Sequence, residues 1–243
     1  MYLIEFESIF ISDNSLVVEM ALELITGCMF SGKTGELLDR LDRLDITKKR
    51  ILLFKPTLDN RSELDEKYSA IDVSSHNAHK RPAIVVPSTD ELYKIVGEQK
   101  PDIIGIDEIQ FFDEKIVDFC YEFRRDKLII VAGLNMSFRG EPFPFRDSKH
   151  LGEEPIVFSD KHMGDLMVIG FNISRRALCM YEFKNGSICG HDGVPTAIYT
   201  QKLIDGNPAP YNSPLVSVGA DIKNNENVSY QGRCEKHYRI NGH

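Results

Sequence analysis

The stretch Gly27-Cys28-Met29-Phe30-Ser31-Gly32-Lys33-Thr34 has the spacing G-x-x-x-x-G-K-[ST]. The apolar run from Ala21 to Ile25 precedes it and is typical of a short buried strand. After it, apolar residues recur at helical spacing, at Leu37, Leu38, Leu41 and Leu44. A strand, a glycine loop and a helix in this order predict a phosphate-binding loop.

Such a loop binds an anion mainly through its backbone. Glycines let the chain curl so that several N–H groups converge on one phosphate, and the following helix N-terminus adds partial positive charge. In this interpretation Lys33 contacts the β- and γ-phosphates and the Thr34 hydroxyl binds Mg²⁺. ATP and Mg²⁺ are therefore the expected cofactors. The alternative is a glycine turn that precedes a helix by chance.

Composition excludes several classes of protein. The 243 residues suffice for one large domain, or for one domain with a smaller partner, and 42% of them are hydrophobic. The net charge of −8 argues against non-specific nucleic-acid binding, which needs clustered Lys and Arg. No apolar run approaches the ~20 residues of a membrane helix. Residues 1–16 carry acidic side chains and no early Lys or Arg, unlike a signal peptide. With five scattered cysteines, this predicts reduced thiols and a cytoplasmic location.

Short apolar segments alternate with helical ones through the first 150 residues. We expect strands at 21–25, 49–55, 70–73, 83–86, 102–108 and 128–133, and helices from the glycine loop to about 47, at 88–98 and at 113–125. This alternation predicts an α/β fold, a P-loop NTPase-type parallel sheet covered by helices. Ligands of such sheets bind at the carboxyl ends of the strands, where the glycine loop and Asp107-Glu108 both fall.

The chain is expected to have three parts. Residues 1–19 do not fit the architecture and are predicted to be an N-terminal extension, with Met20 as an alternative start. Residues 20–150 form the predicted ATP-binding domain. From about Leu151 the helical signals fade, and the remaining Cys and His residues gather with Gly, Pro and Asn. Residues 151–243 are therefore predicted to be a small second domain of loops and short strands.

Asp107 and Glu108 follow a predicted buried strand. An acidic residue at this place is typical of the magnesium-organising Asp of phosphate-loop enzymes. In an extended chain the next side chain points to the other face of the sheet. Asp107 would then hold the metal while Glu108 faces a bound acceptor. The alternative is a solvated acidic pair at a strand end.

Several segments of the chain, which together span most of residues 22–238, resemble those of the type II thymidine kinases. The Asp107-Glu108-Ile109-Gln110-Phe111-Phe112 and Tyr211-Asn212-Ser213-Pro214 segments make the match specific. Further matching segments, in family order, are 27–34, Lys55-Pro56 with Asp59-Asn60-Arg61, Ser74-Ser75-His76, 131–135, 138–143, 200–203, 218–220, and Tyr230 four residues before Cys234.

The resemblance implies transfer of the ATP γ-phosphoryl group to the 5′-hydroxyl of thymidine, with deoxyuridine as a further acceptor to test. The product, thymidine monophosphate, would serve nucleotide salvage and DNA synthesis. It also implies a small zinc-ribbon-like domain whose lasso loop, here about Ile204 to Tyr230, closes over the nucleoside. Relatives are commonly homotetramers inhibited by dTTP, and neither a membrane nor a nucleic acid is an expected partner.

Carried over position by position, the resemblance implies Glu108 as general base. It implies ATP and phosphate binding by Gly27, Met29, Phe30, Ser31, Gly32, Lys33, Thr34, Asp107 and Gln110, with Thr34 and Asp107 also holding magnesium. It implies nucleoside binding by Met29, Asp59, Arg61, Phe111, Leu134, Phe138, Thr200, Val218, Gly219 and Tyr230. From the residues alone, Phe111, Leu134 and Phe138 are better explained as plain core.

The predicted zinc site departs from the family pattern. Relatives usually carry Cys-x-x-Cys in the small domain and a later Cys-x-x-Cys or Cys-x-x-His. The later pair is present as Cys234 and His237, but the earlier spacing is lost. Because an imidazole can replace a thiolate at a tetrahedral site, we expect Cys189 and His191 to complete a structural zinc site. Cys179 or Asp192 could replace either Cys189 or His191 as a ligand. The alternative is a degenerate site without metal. Cys28 and Cys120 are expected to be core residues.

Other functions compete with thymidine phosphorylation. A different deoxynucleoside kinase and a P-loop NTPase that uses water as acceptor would both use the same glycine loop. A zinc-ribbon nucleic-acid-binding module would use the Cys and His residues without any enzyme activity. The charge of −8 and the lack of a basic stripe argue against that module.

Overall fold

The computed structural model describes residues 21–57, 70–74, 80–216 and 227–242. The described helices are α1 (Lys33–Leu44), α2 (Thr89–Gln99), α3 (Lys115–Phe123) and α4 (Met163–Ile169). The described strands are β1 (Leu22–Gly27), β2 (Ile51–Pro56), β3 (Ala70–Ser74), β4 (Lys80–Val86), β5 (Ile103–Ile106), β6 (Leu128–Gly133), β7 (Pro144–Arg146), β8 (Phe158–His162), β9 (Phe171–Arg175), β10 (Tyr199–Ile204), β11 (Asn207–Pro208) and β12 (Val228–Arg233).

A seven-stranded sheet forms the centre of the fold, in the order β3-β4-β2-β5-β6-β1-β9. Neighbouring strands from β4 to β9 all pair in parallel, and only β3 runs antiparallel to its neighbour. The predicted mostly parallel sheet with helical cover is thereby confirmed. The carboxyl ends of β1, β5 and β6 lie side by side, which brings the glycine loop next to Asp107.

Buried apolar side chains cover both faces of the sheet. Along β6, Ile129 and Val131 pack with α2, α3 and α4, whereas Ile130 and Ala132 pack with the leucines of α1. This alternation follows from the period of two in a strand. Because helices cover both faces, the central strands are apolar almost throughout, which is why the sequence pattern revealed them.

Element ends differ from the expected ones by a few residues. Helix α1 ends at Leu44, and a 3-10 turn takes the chain to Thr47. Strand β5 already ends at Ile106, and a 3-10 turn follows it before α3 begins at Lys115. At α2 the expected start is confirmed, since the Ser88 hydroxyl accepts from the Glu91 backbone N–H at 3.3 Å.

The sheet continues beyond residue 150. Helix α4 buries Met163 and Leu166 against the same core as α2 and α3, and β9 then pairs with β1 from Glu23↔Phe171 to Gly27↔Arg175. These elements were not predicted because α4 has only seven residues and β9 is an exposed edge strand, so neither has a strong hydrophobic pattern. The boundary at residue 150 stays a prediction.

A three-stranded antiparallel sheet, β11-β10-β12, follows in the C-terminal part of the chain. The predicted extension, residues 1–19, lies outside the described residues. In the described part of the chain, every helix is too short or too polar to cross a bilayer.

Candidate active site

The glycine loop connects β1 to α1. Gly32 has φ 74°, a left-handed conformation that glycine adopts without strain. A Cβ atom at Gly27 would lie 2.4 Å from the backbone oxygen of Arg175, so no other residue fits there. Helix α1 starts at Lys33, and the N–H groups of a helix's first turn have no partner within the helix. The loop therefore offers backbone donors to an anion.

Lys33 is buried beneath this loop. Its ammonium donates to the Cys28 backbone oxygen at 2.9 Å, across the loop. Burial lowers the pKa of Lys33, and the Glu108 carboxylate is the strongest of the charges that oppose this decrease, ahead of Cys28 and Asp107. The phosphate loop and the acidic pair thus face each other closely enough to interact electrostatically.

Thr34 and Asp107 meet at the base of the loop. The Thr34 hydroxyl lies 3.2 Å from both carboxylate oxygens of Asp107. The Asp107 backbone N–H donates to the Phe54 oxygen at 2.9 Å, which fixes the main chain of Asp107 just after β5. A hydroxyl oxygen next to a carboxylate is a donor set that suits Mg²⁺.

Glu108 does not follow the strand alternation that we assumed. Its backbone has φ 48° and ψ 43°, so the chain is no longer extended there. This left-handed conformation is strained for a residue with a side chain and is common at functional sites. The two carboxylates nevertheless face different partners. Asp107 faces Thr34, whereas Glu108 accepts a 2.5 Å hydrogen bond from the Gln110 side-chain amide.

Gln110 joins the ends of β5 and β6. Its side chain is fully buried, and its Oε1 accepts from the Leu134 backbone N–H at 3.0 Å while its Nε2 donates to Glu108. A Cβ atom at Gly133 would lie 2.7 Å from that Oε1, so glycine is needed for Gln110 to approach. Gln110 was predicted only as a phosphate-binding residue, but its hydrogen bonds hold the carboxylate of Glu108.

The predicted nucleoside residues are partly described. Met29, Phe111 and Leu134 pack on one apolar cluster. The Met29 backbone N–H donates to the Thr200 hydroxyl at 3.0 Å, which ties the loop to β10.

Phe138 is buried, with the Lys202 ammonium 5.5 Å from its ring centre. Tyr230 lies on β12 opposite Lys202. Asp59, Arg61, Val218 and Gly219 lie outside the described residues.

Comparison of the sequence with known proteins identifies the family of the chain. The family model described as thymidine kinase matches residues 20–151, more than half of the chain. The thymidine kinase of Mesoplasma florum is 38% identical over 225 residues, 90% of this chain and 91% of the relative. That of Thermococcus kodakarensis is 34% identical and covers 90% and 94%, and that of Pyrobaculum aerophilum is 35% identical and covers 90% and 98%. The chain belongs to the thymidine kinase family. The resemblance and the predicted enzyme class are thereby confirmed.

One residue at the site of this thymidine kinase family member was not predicted from the sequence. Arg175, at the end of β9, donates from Nε to the Ser31 backbone oxygen at 2.9 Å and from Nη1 to Glu36 at 2.7 Å. Only the pairing of β9 with β1 brings Arg175 to the loop. A local pattern could not have revealed this contact, because 144 positions separate Arg175 from Ser31.

The Cys and His residues form one cluster, but its members differ from the expected set. Cys179, Cys189, Cys234 and His237 each offer a ligand atom, and these atoms all lie within 4.8 Å of one another. His191 is not among them. It is exposed, and its Nδ1 lies 3.1 Å from the Ile188 oxygen. Cys179, one of the two alternatives, takes the fourth place.

A hairpin explains this correction. The Gly190 N–H donates to the Cys179 oxygen at 2.9 Å, and the Cys189 N–H donates to the Tyr181 oxygen at 2.8 Å. These bonds bring Cys179 beside Cys189 although ten positions separate them. Asp192, the other alternative, instead accepts from the Val194 N–H at 3.1 Å. Three sulfur ligands and one imidazole are compatible with structural zinc.

The other two cysteines are core residues, as expected. Cys120 is fully buried in the main core, and Cys28 packs with Ala177, Cys179 and Ala197. Burial raises the pKa of both thiols.

Proposed function

We propose that the protein transfers the γ-phosphoryl group of ATP to the 5′-hydroxyl of thymidine. The observation that carries this proposal is the convergence of Lys33, the Thr34–Asp107 pair and Glu108 at the carboxyl edge of one sheet. Family membership supports the choice of ATP and thymidine as substrates. Because phosphoryl transfer has a loose transition state, positioning and charge neutralisation supply most of the catalysis.

Residues of the loop and of β5 would hold the phosphates. The first-turn N–H groups of α1 and the Lys33 ammonium would bind phosphate oxygens, and Thr34 and Asp107 would hold Mg²⁺. When bound, Mg²⁺ neutralises the charge of the β- and γ-phosphates. Phe30 and Gly27 shape the loop backbone, at φ 65° and 155°.

Glu108 is proposed to be the general base. An ionised carboxylate can take the proton of the 5′-hydroxyl as the oxygen attacks phosphorus. The 2.5 Å hydrogen bond from Gln110 restrains this carboxylate without neutralising it. The strained backbone of Glu108 supports a functional role, since such conformations persist where the surrounding structure over-determines them.

The nucleoside base would lie on the apolar cluster formed by Met29, Phe111 and Leu134. Phe138, Thr200 and Tyr230 are proposed to line the same pocket. The proposed roles of Asp59, Arg61, Val218 and Gly219 concern residues outside the described ranges and rest on the resemblance alone.

We also propose zinc at Cys179, Cys189, Cys234 and His237. The donor set supports this assignment, because three thiolates and an imidazole match a closed structural site. Such an ion would stabilise the C-terminal part of the chain and take no part in the reaction. A homotetramer, inhibition by dTTP and a cytoplasmic location remain proposals from the resemblance and the composition.

A coupled kinase assay with ATP and a panel of acceptors tests the reaction. Thymidine should be the best acceptor among thymidine, deoxyuridine, deoxycytidine and water. A preference for deoxycytidine would mean another deoxynucleoside kinase, and turnover with water alone would mean an NTPase. Salt-sensitive DNA binding without kinase activity would favour the nucleic-acid-binding module instead.

A substitution tests the role of Glu108. Glu108→Gln should lower kcat by about 10²-fold or more while ATP affinity stays within about twofold, because only proton transfer is lost. Glu98→Gln, on the exposed face of α2, is the matched control and should retain parental kcat. Unchanged turnover in Glu108→Gln would remove Glu108 from the role of base.

A further inference from the structure

We propose that Arg175 is a positioning residue of the phosphate-binding loop, which aims the Gly32 N–H at the bound phosphate by holding the Ser31 carbonyl. Arg175 belongs to β9, an edge strand that contains none of the segments on which the resemblance to thymidine kinases rests. The inference rests on the proposed use of residues 27–34 to bind ATP, and it adds a residue to that site.

The guanidinium of Arg175 bridges the loop and the first turn of α1. Its Nε donates to the Ser31 oxygen at 2.9 Å, and its Nη1 donates to Glu36 Oε2 at 2.7 Å. The other oxygen of Glu36 accepts from Arg40 Nε at 2.8 Å, and Arg40 in turn donates to Glu23 at 2.6 Å. Glu36 is therefore held from two sides and fixes the plane of the Arg175 guanidinium.

Arg175 also packs against both glycines of the loop. The pairing of β1 with β9 sets Arg175 opposite Gly27, where a Cβ atom would lie 2.4 Å from the Arg175 oxygen. At the other end of the loop, a Cβ atom at Gly32 would lie 3.4 Å from Arg175 Nη2. The outer side of the loop is thus in contact with the backbone of Arg175 at one end and with its side chain at the other.

The geometry of a peptide bond turns this contact into a directional one. In a trans peptide the carbonyl of one residue and the N–H of the next point in opposite directions. Because Arg175 binds the Ser31 carbonyl on the outer side, the Gly32 N–H points away from Arg175, into the loop. Gly32 has wide conformational freedom, so without this restraint the peptide can rotate.

A buried hydroxyl supports the view that the inside of the loop is shaped for an anion. Ser31 is buried, and its Oγ has no hydrogen-bond partner among the described residues. A buried hydroxyl is costly to leave unpaired, and a phosphate oxygen would accept a hydrogen bond from it. Arg175 thus holds the backbone of the same residue whose side chain would contact the ligand.

The test measures binding rather than turnover. Calorimetric titration with ADP and Mg²⁺, and separately with thymidine, is applied to the full chain and to Arg175→Gln. ADP affinity should fall about tenfold, the value of one lost charge-assisted hydrogen bond, while thymidine affinity stays within about twofold. Arg176→Gln is the matched control, because Arg176 is the exposed neighbour, and it should bind both ligands like the parent.

A second pair of variants separates geometry from charge. Arg175→Lys keeps the positive charge but lacks the planar fork that reaches Ser31 and Glu36 together, so it should also lose ADP affinity, about threefold or more. Glu36→Gln weakens one of the two contacts of the Arg175 side chain and should lower ADP affinity by a smaller factor. This variant keeps the proposal testable if Arg175→Gln does not fold.

Three results would overturn the proposal. These are parental ADP affinity in folded Arg175→Gln, full ADP affinity in Arg175→Lys, and equal losses for ADP and thymidine, which would indicate a merely structural role. Failure of the proposed function looks different. A parent protein that binds ADP but phosphorylates no nucleoside would refute the kinase assignment and leave the Arg175 result standing.

Discussion

Replacing Gln110 by Glu turns the hydrogen bond that holds Glu108 into a contact between two carboxyl groups. The substitution keeps the shape of the side chain, and the Oε1 that accepts from the Leu134 N–H at 3.0 Å remains an acceptor. What changes is the group 2.5 Å from Glu108, which was a donor and becomes a second acid. Like charges at this distance disfavour double ionisation, so the pair binds a proton to a higher pH.

The distance between the two carboxyl groups sets limits on how far their apparent pKa rises. At an effective dielectric constant of about 20, unit charges 2.5 Å apart repel by about 6–7 kcal/mol, which is equivalent to about five pH units. Because Glu108 is only half buried, the groups can move apart. At about 5 Å and a dielectric constant of about 40 the repulsion is about 1.7 kcal/mol, or just over one pH unit. The apparent pKa of the pair should therefore rise by about one to five units.

The assay is kcat/KM for thymidine from about pH 5 to about pH 9. If ionised Glu108 is the base, activity in Gln110→Glu is low at acid pH and recovers as the shared proton leaves, so the acid limb moves up by one pH unit or more. Gln110→Met, which removes the amide without adding charge, should lower activity without moving the limb so far. An acid limb that stays in place in an active, folded Gln110→Glu variant would refute the assignment of Glu108 as base.

The same substitution has a consequence for stability. Since the native variant binds more protons than its unfolded chain does, its free energy of unfolding should fall as the pH rises through the carboxyl range. Chemical denaturation at acid and neutral pH measures this difference. In the parent, which has an amide in place of the second carboxyl, the free energy of unfolding should fall less between acid and neutral pH.

Two further predictions concern the proposed zinc site and Gly133. Cys179→Ser should lose most of the roughly one equivalent of zinc expected per chain, whereas His191→Ala should retain it, as measured by metal analysis of pure protein. Retention by the first variant with loss by the second would restore the ligand set expected from the sequence. Gly133→Ala should displace Gln110 and lower the free energy of unfolding by about 1–3 kcal/mol, together with kcat, as measured by denaturation and the kinase assay. Parental stability would show that the site relaxes around the new methyl group.

The parts of the fold that were predictable from sequence share a physical cause. Strands β1 and β6 are covered by helices on both faces, so their sequences are apolar almost without interruption. The glycine loop was predictable because its function requires residue types at fixed spacing, and the expected site at the end of β5 followed from the position of Asp107 after an apolar run.

What sequence reasoning missed or left open depends on contacts between distant segments. The cluster contains Cys179 because a hairpin brings it beside Cys189, and no spacing rule for metal ligands covers a gap of that length. Strand β9 is short and exposed, so its apolar pattern is weak, and Arg175 gains a role only through pairing with β1. The backbone at Glu108 was wrongly assumed to be extended, because a left-handed residue just after β5 cannot be foreseen from strand alternation.

The phosphate loop is also in direct contact with the C-terminal part of the chain. Cys28, inside the loop, donates from Sγ to the Ala197 oxygen at 3.4 Å and packs with Cys179 of the cluster. One residue later, the Met29 N–H donates to the Thr200 hydroxyl of β10. The loop that would bind ATP is therefore held by the same segment that carries the cysteine cluster. It follows that loss of metal from the cluster should weaken ADP binding as well as stability, although none of Cys179, Cys189, Cys234 and His237 is among the predicted nucleotide-binding residues. Titration of ADP before and after chelation measures this link, and an unchanged ADP affinity in metal-free, folded protein would show that the loop keeps its shape without the cluster.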